Sequence, residues 1–343
     1  MIDANLNRAG EGLRVLEDVA RFLLADAGLS ERLRTLRHGL ADQARGMQPA
    51  LLSERDSEND VGARTGVSPQ QDVQDVVTAN ARRVEESLRV LEELGRLPEA
   101  QVGLDSAGLQ EARFAVYALE RDLVSRIARR QRTERMPGLY VVLDRQLLGG
   151  RDVLEAGRAV IAGGASAIQL RDKVSRKAEL LPLAAGLRDI CRDAGVLCIV
   201  NDYPDVAAAV DADGVHVGQG ELPVPMIRRG LPVDRIVGYS VNTVAQAVEA
   251  EEQGADYVSV GSMFPTMTKD RAQVVGVRRL REVRRAVSCF VVAIGGVGED
   301  NIGELIAAGA DAVAVGSGVL GGNDVEAAAR RLVARIKEAT GGW

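Results

Sequence analysis

The sequence predicts an α/β protein in two parts: an all-helical domain with an internal duplication over residues 1–135, then a (β/α)8 TIM barrel over 136–343. Three observations predict it. Apolar residues recur at helical spacing before residue 135, and as short β-rich runs after it. The runs number eight, each followed by a helical segment. And "ANLNRAGEGLRVLEDVARF", which begins at Ala4, is closely echoed by "ANARRVEESLRVLEELGRL" from Ala79, with Ala, Asn, Arg, Glu, the run Leu-Arg-Val-Leu-Glu and a final Arg in the same order. A chain of 343 residues suits two domains better than one.

The periodicity predicts helices over 3–26, 30–47, 72–96 and 106–134. At about 100° per residue, Leu6, Ala9, Leu13, Leu16 and Ala20 share one apolar arc, as do Val84, Leu88, Leu91 and Leu94 in the second copy. Asn5 and Asn80 fall on these arcs, and Arg8 and Arg83 beside them. Two readings stay open. The Asn-Arg pairs line a site between the copies, or the asparagines cap helix starts and the arginines pair with Glu11 and Glu86 inside a bundle. The segments that follow, "LRTLRHGL" (33–40) and "LQEARFAVYALE" (109–120), share a Leu and an Arg in register, which points to duplication of a helix pair. "RDSENDVG" (55–62) reads as a solvated acidic loop rather than a metal or phosphate loop. "RQRTERMPG" (130–138) is polar and ends in Pro-Gly, so it marks the boundary.

The eight runs are "LYVVLD" (139–144), "AIQLRD" (167–172), "LCIVND" (197–202), "GVHVGQ" (214–219), "IVGYS" (236–240), "YVSVG" (257–261), "FVVAIGG" (290–296) and "AVAVGSG" (312–318). Most are apolar without alternation, as parallel strands covered on both faces must be. The count of eight, with polar groups at the strand ends throughout, disfavours an open doubly wound sheet. In a barrel, function sits where strands end and βα loops begin.

At the second strand's end, Gln169, Arg171 and Lys173 alternate and so face one way, where the two cations can grip an anion. The third ends in Asn201, which can both donate to and accept from a heterocycle, and Asp202, a hard oxygen ligand. Glu221 follows the fourth strand; with Asp202 it makes a carboxylate pair suited to Mg²⁺. The fifth ends in Ser240. "GSMFPTMTKD" after the sixth offers Thr266, Thr268 and Lys269 as a clamp for phosphate or pyrophosphate. The Gly295-Gly296 turn, and Gly316 with Ser317, let backbone N–H groups approach a phosphate closely. His216, inside the fourth strand, reads as a packed core residue with no catalytic role.

A formal net charge of -6 argues against nucleic-acid binding. No stretch is long and apolar enough to span a membrane, and "MIDANLNRAG" has no signal-peptide pattern. Cys191, Cys198 and Cys289 lack zinc-type spacing and fit reduced packing residues of a cytoplasmic protein. The oligomeric state stays open, a homo-oligomer included.

The ordered set "QLRDK", "VND", "GVHVGQGE", "GYS", "PTMTK", "AIGG" and "VGS" closely resembles thiamine-phosphate synthase over residues 138–340. The resemblance implies a transferase. It would join 4-amino-5-hydroxymethyl-2-methylpyrimidine diphosphate to 4-methyl-5-(2-phosphoethyl)thiazole, giving thiamine phosphate and diphosphate. It implies that Gln169, Asn201 and Ser240 contact the pyrimidine, and that Arg171, Lys173 and Lys269 hold the diphosphate. Asp202 and Glu221 would bind Mg²⁺. Thr266, Thr268, Gly295, Gly296, Gly316 and Ser317 would hold the thiazole phosphate. Glu221 stands where the family usually has Asp, which puts direct metal ligation in question, and Asn242 where many members have His. Thiazole tautomerases share the scaffold, but Asn201-Asp202, the basic end of the second strand and "TMTK" favour the synthase.

The N-terminal motifs, with "LRHGL" and "ERDSENDVG", resemble a helical domain found fused to such synthases and linked to hydroxymethylpyrimidine phosphate kinase activity. That would make ATP a further substrate, although no P-loop is present. A non-catalytic dimerisation or scaffold module is the rival reading.

Overall fold

A computed structural model describes residues 1–45, 47, 51, 71–97, 103–265 and 274–341. The chain divides into two compact units, Met1–Ala128 and Arg129–Trp343. None of the described helices is long and apolar enough to cross a membrane.

The helical unit contains α1 (Ile2–Asp18), a π-helical turn (Val19–Leu23), α2 (Ala27–Arg45) and α3 (Val73–Gly95), followed by α4 (Ser106–Thr133), within which the division falls. Asp72 caps α3 by accepting from the Asp75 amide at 2.8 Å. The apolar arcs expected from the sequence are buried together: Leu13, Leu16, Val84, Leu88 and Leu91 belong to one core. Their helices touch closely because the crossing residue is small. A Cβ on Gly12 would lie 2.6 Å from Val84 Cγ2, and the equivalent position in the second copy is the buried Ser87.

Asn5 and Asn80 are buried, but they are not caps. Each donates from Nδ2 to the carbonyl one turn back, Met1 at 3.0 Å and Val76 at 2.8 Å. Arg8 and Arg83 are exposed. The buried charges that recur are instead Glu17 and Glu92, at equivalent places in the repeat. Glu17 accepts from Arg37 at 2.9 Å, and Glu92 from Arg113 at 3.1 Å. Arg37 and Arg113 are the arginines in register in the two following helices, so the same cross-helix ion pair occurs in both halves. Burial pushes the Glu92 carboxyl up, but the Arg113 bond and the charges of Arg96, Arg113 and Arg89 outweigh it and hold it below the usual range. Glu85 goes the other way. Burial and the neighbouring Glu120 carboxylate raise it to about 7 against the opposing Arg82.

In the second unit, eight parallel strands close in chain order: β1 (Gly138–Asp144), β2 (Ala167–Arg171), β3 (Leu197–Asn201), β4 (Gly214–Val217), β5 (Ile236–Val241), β6 (Tyr257–Gly261), β7 (Phe290–Ile294) and β8 (Ala312–Val315). β1 closes the ring on β8, with Tyr140 opposite Ala314. Tyr140, Val142, Ile199, Tyr257 and Val292 fill the interior, whereas Leu139, Val141, Leu143, Val200 and Val258 pack outward under the helices. Both faces of each strand are therefore buried, which is why the runs do not alternate.

The amino-terminal rim is sealed by a recurring device. The residue before each even strand is Ser166, Asp213, Asp256 or Asp311. The three aspartates accept backbone N–H bonds from Cys198, Val237 and Val291 at 2.9, 2.7 and 2.8 Å. At the end of α4, Arg129 pairs with Asp256 at 2.9 Å and Arg132 with Asp234 at 2.9 Å, so this last turn belongs to the rim.

Two outcomes follow for the helical unit. Glu85 is raised from 4.5 to about 7. Its protonated form is thus favoured in the fold, and its contribution to stability is present below 4.5 and lost as pH rises through 7. Glu85→Gln therefore raises the urea midpoint of the full chain more at about pH 8 than at about pH 5. Arg113→Ala lowers the midpoint more than Arg37→Ala does, since Arg113 is 12% exposed against fully buried Glu92, while Arg37 is 26% exposed.

Candidate active site at the carboxyl ends of the strands

A cavity of about 570 Å³ opens at the carboxyl ends of the strands, large enough for a bicyclic or two-part substrate. Gln169, Arg171, Lys173, Asn201, Asp202, Glu221, Ser240, Gly295, Gly296, Gly316 and Ser317 all line it. Every strand-end candidate among the described residues is therefore brought to one space. Thr266, Thr268 and Lys269 lie outside the described residues, as does the "RDSENDVG" loop.

Each cation is held by a carboxylate. Arg171 pairs with Asp144, its neighbour across the β1–β2 register. Asp144 is buried and also accepts from the Gln146 amide at 2.9 Å. Lys173 pairs with Asp202 and lies 3.7 Å from Glu221 Oε1. The loop that carries Lys173 is anchored by Asp172. This side chain is fully buried and accepts from the Val174 and Ser175 amides at 3.0 and 2.9 Å and from Arg145 at 3.0 Å. Burial alone would push its carboxyl up; the bonds from Ser175, Val174 and Arg145 outweigh that and bring it down to about 2.

Asp202 has a φ of 65°, a left-handed conformation that a non-glycine residue adopts at a cost. Its amide donates to the His216 carbonyl at 2.8 Å, which locks the turn and aims the carboxylate into the cavity. Asp202 Oδ2 is buried and, among the described residues, has no hydrogen-bond donor beyond its ion pair with the Lys173 ammonium. Glu221 is more open, with 39% of its side chain exposed. Gly295 and Gly296 have φ of 98° and 67°, and a Cβ on Gly296 would lie 2.7 Å from Phe264 Cβ. Only glycine fits this turn.

Below these groups runs a line of hydrogen bonds that the sequence reading did not find. Gln169 Nε2 donates to Tyr140 Oη at 2.8 Å, and Tyr140 and Tyr257 hydroxyls meet at 3.0 Å. His216 then bridges, with Nδ1 at 3.1 Å from Tyr257 Oη and Nε2 at 2.9 Å from Ser240 Oγ. His216 is buried as expected, yet it lines the cavity and touches a candidate binding residue. The available signal was alternation: Tyr140 and Tyr257 occupy inward positions of β1 and β6, where an apolar side chain would suffice for packing alone. Asp144 and Asp172 likewise stand at strand ends with no role legible in the sequence, and take one only from the arginines that the fold sets against them.

Residues 139–319 match the family model described as thiamine monophosphate synthase, and residues 1–122 match the ThiD2 family. The thiamine-phosphate synthase of Synechocystis sp. is 39% identical over 92% of this chain and 89% of its own length. That of Moorella thermoacetica is 48% identical, covering 59% of this chain and 97% of that protein. Among solved structures, thiamine phosphate pyrophosphorylase from Pyrococcus furiosus superposes with a TM-score of 0.57 at 39% identity, covering 60% of this chain and 98% of that one. With its barrel closed around this set of strand-end residues, and with a relative of that identity along nearly its whole length, the chain belongs to the thiamine-phosphate synthase family.

Proposed function

We propose that the barrel joins 4-amino-5-hydroxymethyl-2-methylpyrimidine diphosphate to 4-methyl-5-(2-phosphoethyl)thiazole, with Mg²⁺ assisting departure of diphosphate. The observation that carries the reading is the convergence of every described strand-end candidate on one cavity. The bond between the pyrimidine methylene and the diphosphate oxygen breaks, its electron pair leaving on diphosphate. The thiazole nitrogen then donates its pair to the methylene carbon. The ring amino group stabilises the cationic carbon, so no protein nucleophile is required.

The chain's part is positioning and electrostatics. Arg171 and Lys173 hold the diphosphate and exchange their carboxylate partners for it. Asn201, Gln169 and Ser240 orient the aminopyrimidine. Backbone N–H groups at Gly295-Gly296 and Gly316-Ser317 receive the thiazole phosphate, with Thr266, Thr268 and Lys269 as further anion-binding groups.

The donor set fits a magnesium ion. Asp202 Oδ2 is buried against a cation, and Glu221 lies near that same ammonium, so two hard oxygens already surround one positive charge. Among the described residues no group of three or more His, Cys, Asp or Glu could hold a metal. Two carboxylates suffice for Mg²⁺, which completes its shell with phosphate oxygens and water. Asp202 and Glu221 would hold it, and bound there it supplies positive charge to the departing diphosphate.

The helical unit supplies the diphosphate in this reading, phosphorylating hydroxymethylpyrimidine phosphate with ATP. Its support is the match of residues 1–122 to the ThiD2 family.

The deciding assay gives the full chain hydroxymethylpyrimidine monophosphate, ATP, Mg²⁺ and thiazole phosphate. Thiamine phosphate is expected. Product only when the pyrimidine diphosphate is supplied leaves the synthase and rejects the kinase; no product from either mixture rejects both. Lys173→Ala lowers kcat by about 10²-fold or more, as loss of a charge-stabilising donor does. Glu221→Gln raises the Mg²⁺ needed for half-maximal rate at least about tenfold, read from a titration of initial rates.

A further inference from the structure

The buried line of hydrogen bonds beneath the cavity has one polarity in which each phenol hydrogen meets an acceptor among the described residues. An amide nitrogen only donates, so Gln169 Nε2 gives a hydrogen to Tyr140 Oη across 2.8 Å. Burial raises both phenols above their ordinary range, so each keeps its single hydrogen. Tyr140 is buried, so its own hydrogen needs an acceptor, and among the described residues the one in reach is Tyr257 Oη at 3.0 Å. Tyr257 turns its own to His216 Nδ1 at 3.1 Å. A neutral imidazole that accepts at Nδ1 carries its hydrogen on Nε2, which faces Ser240 Oγ at 2.9 Å. Gly238 makes room for this arrangement: a Cβ there would fall 2.0 Å from Tyr257 Cζ.

We infer that Tyr140, Tyr257 and His216 form a one-way relay that sets the polarity of the pyrimidine site, an acceptor at Gln169 Oε1 and a donor at Ser240 Oγ. The three act through Gln169 and Ser240 and are positioning residues. The inference rests on the reading above that those two residues meet the pyrimidine. An aminopyrimidine offers an amino donor and ring-nitrogen acceptors, which complement this pair. A 4-oxo analogue offers an acceptor in place of the amino group and a hydrogen on a ring nitrogen, so both contacts would oppose like with like. The relay thereby selects amino over oxo rings, because a buried polar group left unpaired costs more than the bond it replaces.

The test uses the full chain labelled with ¹⁵N-histidine. The chain holds 2 histidines, His38 and His216, and His38 is exposed, so the spectrum is assignable. Without substrate, His216 is expected as the Nε2–H tautomer. Tyr257→Phe removes the donor to Nδ1 and brings the tautomers into exchange; Tyr140→Phe, which removes the hydrogen that orients Tyr257, shifts the balance in the same direction to a smaller extent. An Nδ1–H tautomer in the unmodified chain, or no response to Tyr257→Phe, overturns the relay. In turnover, Tyr257→Phe is expected to raise KM for the pyrimidine diphosphate about tenfold while KM for thiazole phosphate stays unchanged. An equal rise in both marks a merely structural role and overturns the proposal. The expected tautomer with no turnover of pyrimidine diphosphate leaves the relay standing and rejects the pyrimidine assignment instead.

Discussion

Closure of the sheet, where β1 pairs with β8, is the constraint on which the rest depends. A closed parallel ring has no free edge, and the carboxyl ends of its strands lie on one rim. Residues as distant in sequence as Gln169 and Ser317 thereby share one cavity. Closure also buries both faces of each strand, and only a few polar side chains enter the interior. Four of those that do, Gln169, Tyr140, Tyr257 and His216, are hydrogen-bonded to one another, as burial demands.

The rim is a balance of charge. Arg171 and Lys173 stand at the open mouth of the pocket, with 24% and 40% of their side chains exposed, and each has a carboxylate against it. Asp172 plays a different part, since its oxygens are occupied by the loop's own amides and Arg145. It fixes the backbone that aims Lys173. One run of three adjacent residues thus contains a cavity-lining cation on each side of a structural anion. The amino-terminal rim uses carboxylates too, but there each aspartate closes on a neighbouring strand's N–H and its arginines lock the structure.

The helical unit shows how duplication preserves chemistry. Glu17–Arg37 and Glu92–Arg113 are one ion pair made twice, and small residues, Gly12 and the buried Ser87, stand at the same place in both copies. Glu85 and Glu120 have no such counterpart, since Gly10 and Ala44 stand at the equivalent places. Their mutual repulsion belongs to the second copy alone.

Period and composition alone determined the two-part architecture: a helical spacing that repeats 75 residues apart, then eight apolar runs with polar residues at their ends. Those signals are local, and local pattern survives in a string of letters. The strand-end residues were legible for the same reason, since a polar residue that ends an apolar run has few other reasons to be there. The structure alone decided the pairings. Asn5 and Asp144 look alike in sequence, as polar residues beside apolar stretches. One bonds back to its own helix, while the other neutralises Arg171 across a strand. His216 reads as a core residue until Tyr257 and Ser240 arrive at its two nitrogens from other strands. Hydrogen-bond partners many residues apart are chosen by register and closure, which are properties of the folded ring and of no single segment.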